Sequence, residues 1–153
     1  MSHAEFIALY DQYVRLVRAV LFRMGAAAQL DDLTQEVFLR AWKSRSAFRG
    51  EASAKTWLCK IARNLAIDNL RRKPLEPAPA LALVSDASDR VAVNEALAQL
   101  TPDDRLLLVL IVVEECTMQE VAEILTIPEG TVKSRAFALR RRLSEHLAKQ
   151  GAA

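Results

Sequence analysis

The C-terminal part of the sequence places cations, a serine and a phenylalanine at a spacing suited to binding DNA. On a helix, which turns about 100° per residue, these side chains fall on one arc. Cations neutralise phosphates, serine and arginine reach base edges, and an aromatic ring contacts a thymine methyl group. A solvated basic helix with one stray phenylalanine is the alternative, but a turn signal directly precedes the arc. The pattern favours a helix in the DNA major groove that binds through Lys133, Ser134, Phe137, Arg140 and Arg141.

Two helices and a connector must position this arc. Residues 117–125 predict a short amphipathic helix, residues 126–130 a tight connector, and residues 131–147 a longer basic helix, which together make a helix-turn-helix. Pro128 suits a first helical turn because its missing N–H needs no partner there. The second helix is therefore expected to begin near Pro128 or near Thr131. Its apolar stripe, opposite the arc, consists of Val132, Ala136, Leu139 and Leu143.

Charge is unevenly distributed along the 153 residues, although the formal net charge is only +2. Residues 1–72 hold 12 Lys or Arg against 7 Asp or Glu, and residues 130–153 hold 6 against 1. Between them, residues 91–129 hold 1 Arg and 8 acidic residues. This segregation fits a protein with two DNA-facing surfaces and an acidic region between them.

The two cysteines and two histidines offer no chemistry by their spacing. Neither Cys59 nor Cys116 has a Cys or His at metal-ligand spacing, so no metal or cofactor is expected. His3 and His146 lie at opposite ends and no phosphate-binding loop is present, which leaves an enzyme without support. The role of a small buried hydrophobic residue is favoured for Cys59, and a redox role for either thiol stays open.

No signal peptide or membrane-spanning segment is recognisable in the sequence. The apolar run over residues 106–113 is too short to cross a bilayer. We therefore expect a cytoplasmic protein with reduced thiols and no direct membrane insertion.

Three amphipathic helices are predicted in the N-terminal half, over residues 6–24, 31–45 and 56–72, because their apolar residues recur every three or four positions. The outward face of the second helix is rich in carboxylates and amides, and by periodicity alone it is an ordinary solvated face. Leu39 lies in the middle of this face and hints at a protein partner. Its neighbours on the face are Asp32, Gln35, Glu36 and Lys43.

The loop before the third helix and the helix itself carry a second group of cations. Phe48 and Arg49 lie in a loop that contains Gly and Ser, where they either pack locally or meet nucleic acid. One face of the third helix is basic and includes an asparagine, so it could bind a DNA backbone and a base. The residues of this face are Lys60, Arg63, Asn64, Ile67 and Arg71.

A change in composition after residue 72 divides the chain into two domains. Three prolines and little charge predict an extended, flexible linker over residues 73–90, between domains over residues 1–72 and 91–150. Residues 91–100 and 101–115 predict two further helices, the second opened by an N-cap threonine and a proline. The predicted fold is therefore all-α, with two small helical domains and a C-terminal helix-turn-helix.

Five blocks of residues, in their order and spacing, give the sequence a resemblance to a known family. It resembles the extracytoplasmic-function (ECF) sigma factors of the sigma-70 family, which are two-domain initiation factors of bacterial RNA polymerase. The resemblance covers nearly the whole chain. The blocks are residues 32–38; 48–50 with 56–58; 61–64 with 68 and 71–72; 100–102; and 130–135.

The resemblance implies a role for each exposed face. In this family the carboxylate and amide face binds core polymerase, the loop and third helix open the promoter −10 element, and the C-terminal helix binds the −35 element. It also implies a winged-helix-like region 4, no catalysis, no small-molecule substrate, and regulation by an anti-sigma factor. The matching residues are Asp32, Gln35, Glu36 and Leu39 for core polymerase; Phe48, Arg49, Lys60, Arg63, Asn64 and Arg71 for the −10 element; and Thr131, Lys133, Ser134, Phe137, Arg140 and Arg141 for the −35 element.

The sequence leaves two points open. Many relatives carry an arginine where this chain has Ala138, so one DNA contact is either absent or supplied by Arg141. A one-component repressor with a helix-turn-helix is the main alternative function. It predicts a homodimer on a palindromic operator without polymerase, whereas a sigma factor is a monomer that needs core polymerase.

Overall fold

All regular elements in the described part of the chain are helices, which confirms the all-α prediction. The computed structural model describes residues 1–50, 53–72 and 87–151. Single turns of 3₁₀ helix, at Ala27–Gln29 and Arg45–Ala47, flank the second helix. The helices are α1 (His3–Arg23), α2 (Leu30–Ser44), α3 (Ala54–Leu70), α4 (Ala87–Ala98), α5 (Pro102–Val112), α6 (Met118–Leu125) and α7 (Glu129–Gly151).

The first three helices form a bundle whose ends follow capping signals in the sequence. Ser2 and Glu5 make a capping box at the start of α1. Gly25, with a φ of 90°, ends that helix in the left-handed conformation that favours glycine. The three helices pack against one another, so their polar faces point outward. Their buried residues include Val17, Leu21, Val37, Leu58 and Leu65.

The fourth helix begins earlier than the sequence pattern predicts. An extended linker is expected over residues 73–90, but α4 starts at Ala87. No proline or glycine lies between residues 80 and 101, so nothing in the composition stops the helix from extending toward the linker. The rest of the predicted linker, residues 73–86, lies outside the described residues.

The middle of the fifth helix is buried on all sides. Thr101 caps it through a hydrogen bond from the backbone N–H of Asp104, and Pro102 occupies its first turn, both as predicted. Residues 105–110 are all buried. A helical segment with no exposed face needs neighbours around it, and α5 packs against α1, α6 and α7. It therefore supports the helix-turn-helix and also reaches the N-terminal bundle.

The first helix of the helix-turn-helix is α6. Thr117 and Glu120 form its capping box, in which each side chain accepts a hydrogen bond from the other residue's backbone N–H. Thr126 ends the helix with a φ of 57°. Val121 and Ile124 are fully buried and attach α6 to the core.

The second helix, α7, starts between the two positions that the sequence leaves open. It begins at Glu129, and the carbonyl of Pro128 accepts hydrogen bonds from the backbone N–H groups of Thr131 and Val132. Pro128 therefore stands just outside the helix. The predicted stripe faces the core, with Val132, Ala136 and Leu139 buried and Leu143 half-buried.

The N-terminal bundle and the C-terminal helices pack against each other. Helix α3 contacts α6, and α1 contacts α5. The buried residues of both halves form one continuous apolar cluster. The two helical domains predicted from the sequence are present, but its periodicity does not indicate this contact between them.

Candidate nucleic-acid interface

The outward face of α7 presents the predicted arc to solvent. Lys133, Ser134, Phe137, Arg140 and Arg141 are all exposed. Phe137 is 72% exposed, more than any other large apolar side chain in the described residues. A ring that packs on nothing in the fold contributes little to stability, and it remains available to contact a base.

The cations of the arc are only weakly engaged within the protein. Lys133 Nζ lies 3.3 Å from Glu129 Oε1, and Arg141 Nε lies 3.1 Å from Glu145 Oε1. Exposed pairs one helical turn apart contribute about 0.3–0.5 kcal/mol. DNA phosphates can therefore replace these carboxylates at little cost.

Thr131 is the remaining residue predicted on this face. It is half-buried at the start of α7. Its carbonyl accepts a hydrogen bond of 3.1 Å from Ser134 Oγ. Its position places it at the edge of the arc rather than within it.

The second predicted face is built by the loop before α3 and by α3 itself. Phe48 stacks on Trp57, with ring centroids 4.5 Å apart and an angle of 24° between the planes. Of the two alternatives left open by the sequence, Phe48 therefore packs locally in this structure. Both rings are half-buried and form an aromatic platform. Arg49, Lys60 and Asn64 are exposed.

Arg63 differs from the other cations of this face because it points toward the C-terminal half. Its Nε and Nη2 donate to the two carboxylate oxygens of Asp103 on α5, at 3.0 and 2.7 Å. The two side chains are 17% and 30% exposed. Arg71, directly after α3, is exposed. The predicted basic face is thus partly covered by the helices that follow it in the chain.

A cleft of about 870 Å³ lies between the aromatic platform and the connector of the helix-turn-helix. Phe48, Trp57 and Lys60 line it from the N-terminal side. Glu123 and Glu129 line it from the C-terminal side. The first wall offers stacking and positive charge. The second carries the carboxylates of Glu123 and of Glu129, which is paired with Lys133, and a carboxylate repels a phosphate backbone.

The outward face of α2 carries the residues predicted to bind a protein partner. Asp32 and Gln35 are exposed, and Leu39 is 45% exposed. Glu36 accepts a hydrogen bond of 2.9 Å from Arg40 Nε, in an exposed pair one turn apart. Positions three and four apart share one helix face, so the structure places the four predicted residues together.

Buried thiols lie where the two halves meet. Burial raises the pKa of Cys59 to about 12, and the nearby Cys116 thiol adds to this shift. Burial also raises the pKa of Cys116. The Lys55 ammonium beside them donates a hydrogen bond of 3.4 Å to the carbonyl of Glu114. Cys59 is therefore a neutral, unreactive thiol at neutral pH in this arrangement.

Arg105 is a buried cation in the same region. Its Nη1 donates to the carbonyl of Arg23 at 3.3 Å, and its Nη2 to the carbonyl of Leu100 at 3.4 Å. Burial lowers the pKa of its guanidinium. The first bond joins α5 to the C-terminal end of α1, where backbone carbonyls lack helical partners.

Two family models match the chain, one on each side of the predicted linker. Sigma-70 region 2 matches residues 9–74, and Sigma-70 region 4 matches residues 90–143. The ECF RNA polymerase sigma factor SigM of Mycobacterium tuberculosis is 31% identical, over 95% of this chain and 85% of its own length. The chain belongs to the ECF sigma factors of the sigma-70 family.

Other proteins agree with this assignment. The ECF RNA polymerase sigma factor SigL of Mycobacterium tuberculosis is 34% identical to this sigma factor, over 90% of this chain and 88% of its own length. The sigma factor RpoE in complex with the anti-sigma factor NepR, from Bartonella quintana, superposes with a TM-score of 0.78 over 94% of this chain and 97% of that one. At 24% identity the second match shows the fold alone. A one-component repressor is not favoured, because the matches to sigma factors span both halves.

Three residues at the contact between the two halves of this sigma factor were not among the predicted site residues. Trp57 lies within the predicted third helix, but the sequence does not indicate that it is half-buried and stacks on Phe48. The sequence offers one indication that Asp103 meets a cation of the other half, because this residue lies in the acidic stretch 91–129 that follows a basic N-terminal domain. The sequence offers no such indication for Arg105, since its position next to an apolar run does not show which carbonyls it contacts.

The part of this sigma factor that the structure describes has no helix long and apolar enough to cross a membrane. In the same residues, no three His, Cys, Asp or Glu side chains are grouped so that they could hold a metal ion.

Proposed function

We propose that this sigma factor directs core RNA polymerase to promoters by binding the −35 and −10 elements with two separate faces, and that it catalyses no reaction itself. The observation that carries the proposal is the exposed arc of α7, where cations flank a phenylalanine that packing does not explain. Residues 1–72 act as region 2 and residues 91–150 as region 4, joined by residues 73–90. The cytoplasm, where polymerase works, is the compartment.

The −35 duplex is bound by α7 in its major groove. Lys133 and Arg140 bind phosphates or guanine, while Ser134 and Phe137 contact base edges and a thymine methyl group. Thr131 contributes at the edge of the arc. The short Ala138 leaves room on this helix, and Arg141, one turn further on, supplies the cation for that side.

The −10 element is bound as single-stranded DNA by the loop and α3. A base must leave the duplex stack before a protein can bind its pairing edge. Single strands bind where aromatic rings stack with bases and cations hold the backbone. The platform of Phe48 and Trp57 supplies the rings for stacking, and Arg49 and Lys60 supply the cations that hold the backbone. Asn64 offers an amide to a base.

Core polymerase is bound by the exposed face of α2. Asp32 and Glu36 supply negative charge, Gln35 an amide, and Leu39 an apolar contact. An exposed leucine among polar groups has no role within the fold, but it stabilises a protein interface when a partner covers it.

An anti-sigma factor is the proposed regulator. The support is the likeness to RpoE of Bartonella quintana, whose structure contains the anti-sigma factor NepR. Such a partner inhibits by covering one or both DNA faces.

Alanine substitutions on α7 test the −35 face. Changing Lys133, Phe137 or Arg140 to Ala is expected to lower promoter-directed transcription roughly tenfold each, because one good base or phosphate contact is worth about 1–3 kcal/mol. Binding to core polymerase, measured by pull-down, stays unchanged. Lys149→Ala, an exposed cation near the end of the same helix, is the matched control. Loss of core binding instead of promoter use would show that the DNA face is misplaced.

Charge reversal on α2 tests the polymerase face. We expect Asp32→Lys with Glu36→Lys to abolish the pull-down of core polymerase, because two charges of an interface change sign. Asp11→Lys, an exposed acid on α1, controls for reversing a charge elsewhere on the N-terminal bundle. An undiminished pull-down by the double variant would remove α2 as the interface.

A further inference from the structure

The chain supplies its own carboxylate to a cation of the proposed −10 face. The guanidinium of Arg63 is held by both oxygens of Asp103, with donor–acceptor distances of 3.0 and 2.7 Å. This two-pronged geometry is the one in which arginine also binds a phosphate. The Nε and Nη2 donors of Arg63 are therefore not available to a DNA phosphate while Asp103 accepts from both.

Further polar contacts close the same region. Lys55 donates to the carbonyl of Glu114, and Arg105 donates to the carbonyl of Arg23. Each contact joins the N-terminal bundle to the C-terminal helices. Helix α6 packs directly on α3, the helix that carries Lys60, Arg63 and Asn64 of the proposed −10 residues.

The cleft beside α3 is also unfavourable for DNA as it stands. Its N-terminal wall carries the aromatic platform and Lys60, but Glu123 and Glu129 line the facing wall. Like charges repel a phosphate backbone that enters such a cleft. A single strand gains the platform without this repulsion only after α6 and the connector have moved away.

We infer that the unbound sigma factor inhibits itself: its C-terminal helices cover part of the α3 face, and Asp103 holds Arg63 in place of DNA. This inference rests on the proposed role of α3 in binding the −10 element. Opening of the contact between α3 and α6 then precedes promoter binding. The closed fraction lowers the apparent affinity for DNA, because only the open fraction can bind.

The polar character of the contact makes it reversible. When two charges are largely removed from water, the loss of their hydration offsets most of the attraction between them, so the pair adds little net stability. The contact therefore holds the closed state without making it permanent.

The two native thiols report on opening. Cys59 and Cys116 are the only cysteines of the chain, and both are buried at this contact. Charges of Glu114 and Glu120, both in the C-terminal half, act on Cys59. A thiol-specific reagent such as Ellman's reagent is therefore expected to react slowly with the closed chain and faster when the halves separate.

The test compares Asp103→Asn with Asp104→Asn in the full chain. The two acids are neighbours in the first turn of α5, but only Asp103 binds Arg63. We expect Asp103→Asn to raise the thiol reaction rate roughly tenfold, since it removes a charge-assisted pair, while Asp104→Asn stays within about twofold of the unchanged chain. The rate of association with core polymerase, followed by fluorescence, rises for Asp103→Asn in parallel. Circular dichroism shows whether helix content is retained.

A charge swap separates loss of the pair from loss of folding. Arg63→Asp with Asp103→Arg rebuilds the pair in reverse, so we expect its thiol rate to return to that of the unchanged chain. Equal thiol rates for Asp103→Asn and Asp104→Asn, or a swap that stays fast, would overturn the self-inhibition. If the proposed function itself is wrong, neither the unchanged chain nor any variant starts transcripts with core polymerase, whatever the thiol rates are.

Discussion

Phe137 illustrates how a single exposed side chain carries functional meaning. Its ring is 72% exposed, while Phe38, on α2, is 5% exposed and belongs to the core. Removing a buried ring leaves a cavity, whereas removing an exposed one leaves the packing unchanged. The sequence already distinguishes these two residues, because Phe38 lies on an apolar face and Phe137 lies between cations.

This difference leads to a prediction at the residue scale. Phe137→Ala is expected to change the free energy of unfolding by less than about 0.5 kcal/mol and to weaken binding of holoenzyme to the −35 duplex roughly tenfold. Phe38→Ala is expected to cost about 3–5 kcal/mol of stability. Urea unfolding and gel-shift titration measure the two effects. A large loss of stability for Phe137→Ala would mean that the ring supports the fold.

The raised pKa of Cys59 leads to a prediction about pH. The folded state holds the thiol proton with a pKa of about 12, against an ordinary value of 9.0. The resulting stabilisation is complete below about pH 9 and is lost as the pH rises toward 12. Between pH 8 and pH 10 the unchanged chain is expected to lose roughly 1 kcal/mol more than Cys59→Ala. Urea unfolding at the two pH values measures these losses. If the unchanged chain and Cys59→Ala lose the same free energy of unfolding, Cys59 is not buried as assigned.

At the scale of elements, local capping signals predicted the start of α5. Thr101 caps α5 and Pro102 occupies its first turn, and both residues were visible in the sequence. The start of α4 at Ala87 was not visible in the sequence, because the residues there neither prevent a helix nor signal its start. The exact start of α7 depends on the carbonyl of Pro128, which periodicity does not show.

The capping box of α6 supplies a prediction for one element. Thr117→Ala removes the hydroxyl that accepts the backbone N–H of Glu120, so it is expected to cost about 1 kcal/mol of stability. Thr117→Ser keeps the hydroxyl and should remain within about 0.5 kcal/mol of the unchanged chain. Urea unfolding followed by circular dichroism compares them. If both variants lose the same stability, the methyl group rather than the cap is responsible.

At the scale of the whole molecule, the sequence predicted which charges belong to which half but not how the halves meet. The basic N-terminal domain and the acidic stretch 91–129 were visible as composition. The pairing of Arg63 with Asp103 was not, because the partners are 40 positions apart and lie on different helices. Helical periodicity indicates that a face is buried or exposed, but not which distant face covers it. The arc of α7 was predictable because all its members lie on one helix.

The measurement that tests the central claim most directly is transcription from a pool of promoter fragments by purified core polymerase, with and without this chain. We expect transcripts with defined start sites downstream of a shared sequence only when the chain is present, and about tenfold fewer with Phe137→Ala. A different sigma factor with the same core polymerase shows that the enzyme is active. If that control yields transcripts while this chain yields none with a defined start on any fragment, the assignment of promoter recognition to these two faces is wrong.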